Sequence, residues 1–206
     1  MNIAIFLFEK SCNMAQPWAE AGYLCYCVDI QHPKGETREG NIIKVGADIQ
    51  HWIPPRGDIL FMAAFPPCTD LSVSGARWFK HKGLRALENA ISLFARTVEI
   101  AETMDCPWMA ENPVSTISTY WRKPDHTFHP YQYTGYCLED NYTKKTCLWT
   151  GGASLCLNPS SSKTLKNPTT EFTKHHLEKA EQTLEVKHQK DLQWRYLKPT
   201  GITGSA

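Results

Sequence analysis

The sequence predicts an α/β fold, a parallel sheet with helices packed on both faces. Three observations predict it. Short apolar runs at residues 3–8, 24–28 and 58–64 have the length of buried strands. Segments with helical spacing alternate with them, the longest over 83–104. The apolar runs also end on polar or reactive residues, at the place where an open parallel sheet gathers its ligand-binding groups.

The elements follow in order. Residues 3–8 form a first strand, and a polar turn over 9–13 leads into a short helix at 14–21, with Pro17 in its first turn. A second strand over 24–28 ends on Asp29. Residues 31–41 read as a polar loop, and 42–45 as a third strand ending near Asp48. The fourth strand, 58–64, runs into Phe65-Pro66-Pro67-Cys68. Leu84, Leu87, Ala90, Ile91, Phe94, Val98 and Ala101 then recur on one face of the long helix. A further strand over 107–110 stops at Glu111-Asn112-Pro113. After Tyr120 the texture turns rich in Pro, Tyr and His, 158–169 read as a loop, and 170–190 as a polar helix.

Composition narrows the function classes. The 206 residues are 42% hydrophobic and 21% charged, a globular balance. Lys and Arg (22) nearly match Asp and Glu (21). This excludes a strongly basic coat and leaves room for a local basic groove. No apolar run approaches the roughly 18 residues of a membrane helix. The apolar opening meets Glu9-Lys10 too early for a secretory signal, so the eight cysteines are expected as reduced thiols in a cytoplasmic protein.

Two short motifs carry chemistry. Pro66-Pro67 stiffens the backbone ahead of Cys68, and a cysteine held at a sheet's carboxyl edge is a candidate nucleophile. The bland alternative is a loop cysteine covering the core. Glu111 at the end of a neighbouring apolar strand is a candidate proton donor, because desolvation there favours the protonated acid. Its alternative is a capping acid before the Pro113-Val114-Ser115 turn. The two motifs together, separated by one long helix, are more specific than either alone.

At these residues the sequence resembles a known family. Pro66-Pro67-Cys68 with Thr69-Asp70-Leu71-Ser72 resembles the Pro-Pro-Cys motif of the cytosine-5 DNA methyltransferases, and Glu111-Asn112-Pro113 their Glu-Asn-Val motif. The stretch from Cys68 to Trp149 is similar to the short methyltransferase-like proteins of phage and prophage genomes. Ser72-Val73-Ser74-Gly75-Ala76-Arg77-Trp78, Arg122-Lys123-Pro124-Asp125 and Thr143-Lys144-Lys145-Thr146-Cys147-Leu148-Trp149 carry the likeness. The resemblance implies a Rossmann-like parallel-sheet methyltransferase core over 1–157. It also implies a short C-terminal extension over 158–206, a candidate rudimentary target-recognition element in place of the large domain of full-length relatives.

The resemblance further implies roles. Cys68 would attack carbon 6 of cytosine, Glu111 would hold and protonate ring nitrogen 3, and Asn112 would orient the loop bearing Glu111. Ser72 matches the family's motif serine. Lys145 and Lys144 stand nearest to the family's arginine at the cytosine carbonyl, though lysine lacks that residue's bidentate fork. S-adenosylmethionine would be the cofactor, held by Phe8, Glu9, Ser11, Asp29, Asp48 and Pro66. Asp29 would accept the ribose hydroxyls and Asp48 would sit near the adenine amino group. The family's glycine in the first turn is replaced by Cys12, a costly choice where the backbone wants a positive φ.

The expected partner is DNA, with no membrane and with room for a protein that supplies target recognition. Arg77, Lys80, Lys82, His81 and Arg85 cluster after the cysteine loop, interleaved with Trp78 and Phe79, and are candidate substrate-binding residues; a solvated helix start is the plainer reading. Two rival functions stay open: a catalytically impaired homologue that binds nucleic acid or a host protein, and an enzyme acting on RNA or a free cytosine nucleotide. No metal is expected. Cys137, Cys147 and Cys156 with His126 and His129 lack a close Cys-x-x-Cys pair, and His175-His176 read as solvated surface.

Overall fold

A computed structural model describes residues 2–133 and 141–152. The expected extension over 158–206, the helix over 170–190, Cys137, Cys156 and His175-His176 lie outside the described residues. What is described is an eight-stranded sheet of the Rossmann-like α/β class, in the order β3-β4-β2-β1-β5-β6-β8-β7. Its parallel centre contains β4 (Ile42–Gly46), β2 (Leu24–Val28), β1 (Ile3–Leu7), β5 (Ile59–Ala64) and β6 (Trp108–Pro113). From β1 the chain builds outwards to β2 and β4, then returns to the other side for β5 and β6. The strand order therefore reverses beside β1, the topological switch point at which open α/β sheets place their ligands, at the carboxyl ends of β1 and β5.

The pleat assigns side chains to two cores. Ile3, Ile5 and Leu7 of β1 pack with Met62, Ala64, Trp108, Ala110 and Trp149 against Ala90, Phe94, Ile100 and Ala101 of α2 (Phe79–Thr103). Ala4 and Phe6 face the other way, with Phe61, Ala63 and Met109, against Trp18 of α1 (Gln16–Glu20). The helices therefore cover opposite faces, as expected of period-2 strands buried on both sides. Phe94 meets Trp149 edge-on at 5.3 Å, while Trp18 stacks flat on Phe61 at 4.5 Å.

Four local expectations are corrected. The polar loop over 31–41 contains a strand, β3 (Gly35–Glu39), antiparallel to β4 and exposed along its whole length. The strand expected to stop at Glu111 runs on to Pro113, because β8 (Thr146–Gly151) pairs with all six of its residues. β8 and β7 (His126–Phe128) form an antiparallel pair in a region read as Pro- and Tyr-rich texture. The long helix begins earlier than Gly83, after a 3₁₀ turn at Val73–Trp78, but Gly83 (φ 75°, ψ −179°) interrupts it, so regular helix starts one residue later. A four-residue helix, α3 (Ile117–Tyr120), follows β6.

Candidate functional site

The two chemical motifs leave adjacent parallel strands and are joined there. After β5, Phe65 still donates its amide to Leu7 O (3.1 Å), Pro66 is buried and Cys68 is half-buried. The Cys68 carbonyl accepts the amides of Leu71 (3.0 Å) and Ser72 (2.8 Å), so the chain turns at once and leaves the cysteine at the head of a tight turn. On β6, Glu111 is half-buried and Asn112 is 0% exposed. The Asn112 amide Nδ2 donates to Pro66 O at 3.0 Å. Val73 N donates to Val114 O and Thr116 N to Leu71 O, both at 3.1 Å, and Ser72 bridges Ser115. The loop behind Cys68 and the segment behind Glu111 are thus zipped into one unit. Ser72 is buried within it and shares a 2.8 Å hydroxyl contact with Ser74.

At the carboxyl end of β1 the backbone is forced twice into the left-handed region, at Phe8 (φ 59°) and Cys12 (φ 57°). Such a residue costs about 1–3 kcal/mol unless its surroundings hold it. Cys12 is held: its buried thiol lies 3.9 Å from the carbonyls of Glu9 and Lys10, with the side chain in the α1-side core. A hydrogen bond from Cys27 pulls its thiol below the ordinary range, against burial and the Glu9 charge, and the Cys27 thiol is pushed up in return. The turn thereby keeps the backbone shape expected of a glycine, with its side chain turned inwards.

Glu9 is only 1% exposed, and Ser11 Oγ donates to its carboxylate. The next loop closes against this turn through His32 Nε2, 3.3 Å from Glu9 O, and through Lys10 Nζ on Gln31 Oε1 (3.0 Å). Gly46 allows that closure, since a Cβ there would stand 1.9 Å from Pro33 O. Asp29, 8% exposed, spends part of its acceptor capacity on the Gln31 amide (2.8 Å). Asp48 is exposed at the end of β4 and caps its own turn, accepting Gln50 N at 3.0 Å. Phe8, Glu9, Ser11, Asp29, Asp48 and Pro66 therefore stand at or just beyond the carboxyl ends of β1, β2, β4 and β5. Two buried carboxylates, Glu9 and Asp29, thus stand beside a tight turn, hydrogen-bond acceptors of the kind that suit the amino and ribose hydroxyl groups of the expected S-adenosylmethionine, so the residues present fit that group. Ile30, beside Asp29, is 72% exposed, an apolar side chain left at the surface at these strand ends.

The basic candidates divide. The Lys82 ammonium donates to Asp70 Oδ1 (2.6 Å) and Thr69 O (3.1 Å), tying down the loop that follows Cys68. Arg85 pairs with Glu88 on the helix surface. Arg77 and Lys80 are exposed. Lys144 and Lys145 lead into β8, whose first residue pairs with Pro113, so both arrive at the carboxyl end of β6, just beyond Glu111. The Cys147 thiol is raised by burial and by Glu111 and lowered by Lys145, which places all three in one neighbourhood. Among the described residues no three His, Cys, Asp or Glu side chains cluster as a metal site, and no helix is long and apolar enough to cross a membrane.

No protein-family model matches the chain, and a search of curated proteins finds no match. Among solved structures that match is a 16S rRNA methyltransferase, KamB, at 10% identity and a TM-score of 0.39, covering 74% of this chain and 89% of that one.

Proposed function

We propose that the chain methylates carbon 5 of cytosine in DNA, with Cys68 as the covalent nucleophile and S-adenosylmethionine as donor. The observation that carries this reading is the zipped unit at the carboxyl ends of β5 and β6, which sets Pro66-Pro67-Cys68 against Glu111-Asn112-Pro113 through the Asn112–Pro66 bond. A nucleophile and an acid on neighbouring strand ends suit a ring that must be attacked at one atom and protonated at another. S-adenosylmethionine, when bound, supplies an electrophilic methyl group to carbon 5.

The chain's own residues do the rest. Cys68, as thiolate, adds to carbon 6 and opens the carbon 5–carbon 6 double bond. Glu111, protonated, gives its proton to ring nitrogen 3 as the electrons shift through carbon 4, leaving an enamine that is nucleophilic at carbon 5, and it takes that proton back once carbon 5 carries the methyl group. When the carbon 5 proton leaves to solvent, the double bond re-forms and the carbon–sulfur bond breaks, returning the thiolate. Asn112 holds the Cys68 loop by its backbone, and Lys145 with Lys144 faces the cytosine carbonyl. A target base within a duplex must first leave its stack. The glycine-like backbone at Cys12 supports a working cofactor turn over an impaired homologue.

Radiolabelled methyl transfer from S-adenosylmethionine tests the reading on cytosine DNA, on RNA and on dCMP. Label is expected in DNA and abolished by Cys68→Ala, and DNA carrying 5-fluorocytosine should trap a covalent complex. Label in RNA or dCMP alone would move the substrate class. Cofactor binding without transfer or trapping would remove Cys68 as nucleophile.

A further inference from the structure

We propose that residues 73–85 form a docking surface for single-stranded DNA, with Trp78 stacking on an unpaired base and Arg77 and Lys80 meeting the phosphates. The proposal takes DNA from the reading above and adds the state of the strand. The segment holds four Lys or Arg and no Asp or Glu, in a chain whose formal charge is only +1. Two of the four are already engaged, Lys82 with Asp70 and Arg85 with Glu88. Arg77 and Lys80 make no ion pair among the described residues and face solvent.

The Trp78 ring carries the choice of strand. It is 52% exposed, with the Arg77 guanidinium 5.1 Å from its centre and the His81 ring at 6.2 Å. Exposing an indole forfeits burial that the core would reward, and what recovers it here is a flat partner. Bases in a duplex show only their edges, whereas an unpaired base offers its whole face. A protein partner fits less well, because lysine, which protein interfaces deplete, supplies two of the segment's four cations, Lys80 and Lys82.

The surface is also fixed beside the candidate nucleophile. One end is held by Val73 N on Val114 O and the other by Lys82 on Thr69 and Asp70, so both ends are tied to the unit that bears Cys68. A strand stacked on Trp78 would run past the cysteine already unpaired, without the cost of extruding a base from a duplex.

Fluorescence anisotropy of the full chain with a labelled single-stranded 20-mer, its duplex and the same sequence in RNA tests the surface. The single-stranded DNA is expected to bind at least about tenfold more tightly than the others. Trp78→Ala should cost about tenfold or more on that strand alone, with an unchanged melting temperature. Trp78→Phe should restore most of the binding. Arg77→Gln should reduce the salt slope by about 0.7, one phosphate's worth on a single strand. Equal or tighter binding of duplex or RNA would overturn the proposal, as would a folded Trp78→Ala that binds like the parent. Should Trp78→Ala not fold, an Arg77→Gln slope equal to the parent's would overturn it instead. Strand binding through Trp78 without any methyl transfer would leave the surface standing and remove the proposed reaction. Duplex methylation untouched by Trp78→Ala would do the reverse.

Discussion

Cys12 shows how a residue in an unfavourable conformation is kept. Its φ of 57° suits glycine, yet its thiol fills the α1-side core and packs against the backbone it strains. The two effects oppose, which gives a graded expectation. Cys12→Gly relieves the left-handed strain and opens a small void, so stability should stay within about 1 kcal/mol of the parent. Cys12→Val keeps the bulk but places a branched Cβ at positive φ, and should destabilise by about 1–3 kcal/mol. Urea unfolding of both variants checks the pair; equal midpoints would mean that the turn relaxes to an ordinary φ when changed. The need for a positive φ at this position was legible in the sequence through the resemblance. That Phe8 shares it (φ 59°), and that Cys27 is the thiol's partner, was not, because both follow from how β1 and β2 lie together in the sheet.

Between elements, the decisive contact is one amide. Asn112 reaches from β6 to the Pro66 carbonyl with no exposure to water, so the bond competes with nothing. Removing it leaves a buried carbonyl unsatisfied, at about 1–3 kcal/mol. Because that carbonyl sits two residues before Cys68, Asn112→Ala should lower kcat about tenfold or more, with KM changed less than threefold, the mark of a positioning residue. Parallel losses in kcat and KM at an unchanged melting temperature would instead put Asn112 on the substrate. The motifs on either side of this bond were legible in the sequence, as was their meeting at one edge of a parallel sheet. The bond itself was not. Nor was the reach of β6 past Glu111, because nothing in 107–113 shows that β8 returns from 146–151 to pair with it. β3 escaped for another reason: every residue in Gly35–Glu39 is exposed, so the edge strand has no apolar alternation to betray it. The Lys82–Asp70 pair was not legible either, since Asp70 lies twelve positions away on the far side of a turn whose closure only the fold reveals.

Over the whole molecule the sheet acts as a partition. One core rests on α2 and contains the Phe94–Trp149 edge contact; the other rests on α1 and contains the Trp18–Phe61 stack. β1, buried along all five residues, sends alternate side chains to each, so the strand that carries the turn at Phe8–Cys12 is loaded from both sides. Trp18 and Phe94 lie in separate cores on opposite faces of the sheet, which places them too far apart to share a partner. Volume-reducing changes at the two sites should therefore add. Trp18→Phe and Phe94→Leu are each expected to cost on the order of 1–3 kcal/mol, and the double variant their sum within about 0.5 kcal/mol. Denaturant midpoints at constant m-value measure the cycle. A coupling above about 1 kcal/mol would mean that the backbone of β1 shifts to relieve one face at the other's expense. In that case the same variants should also weaken S-adenosylmethionine binding, since the turn at Phe8–Cys12 hangs directly from the end of that strand.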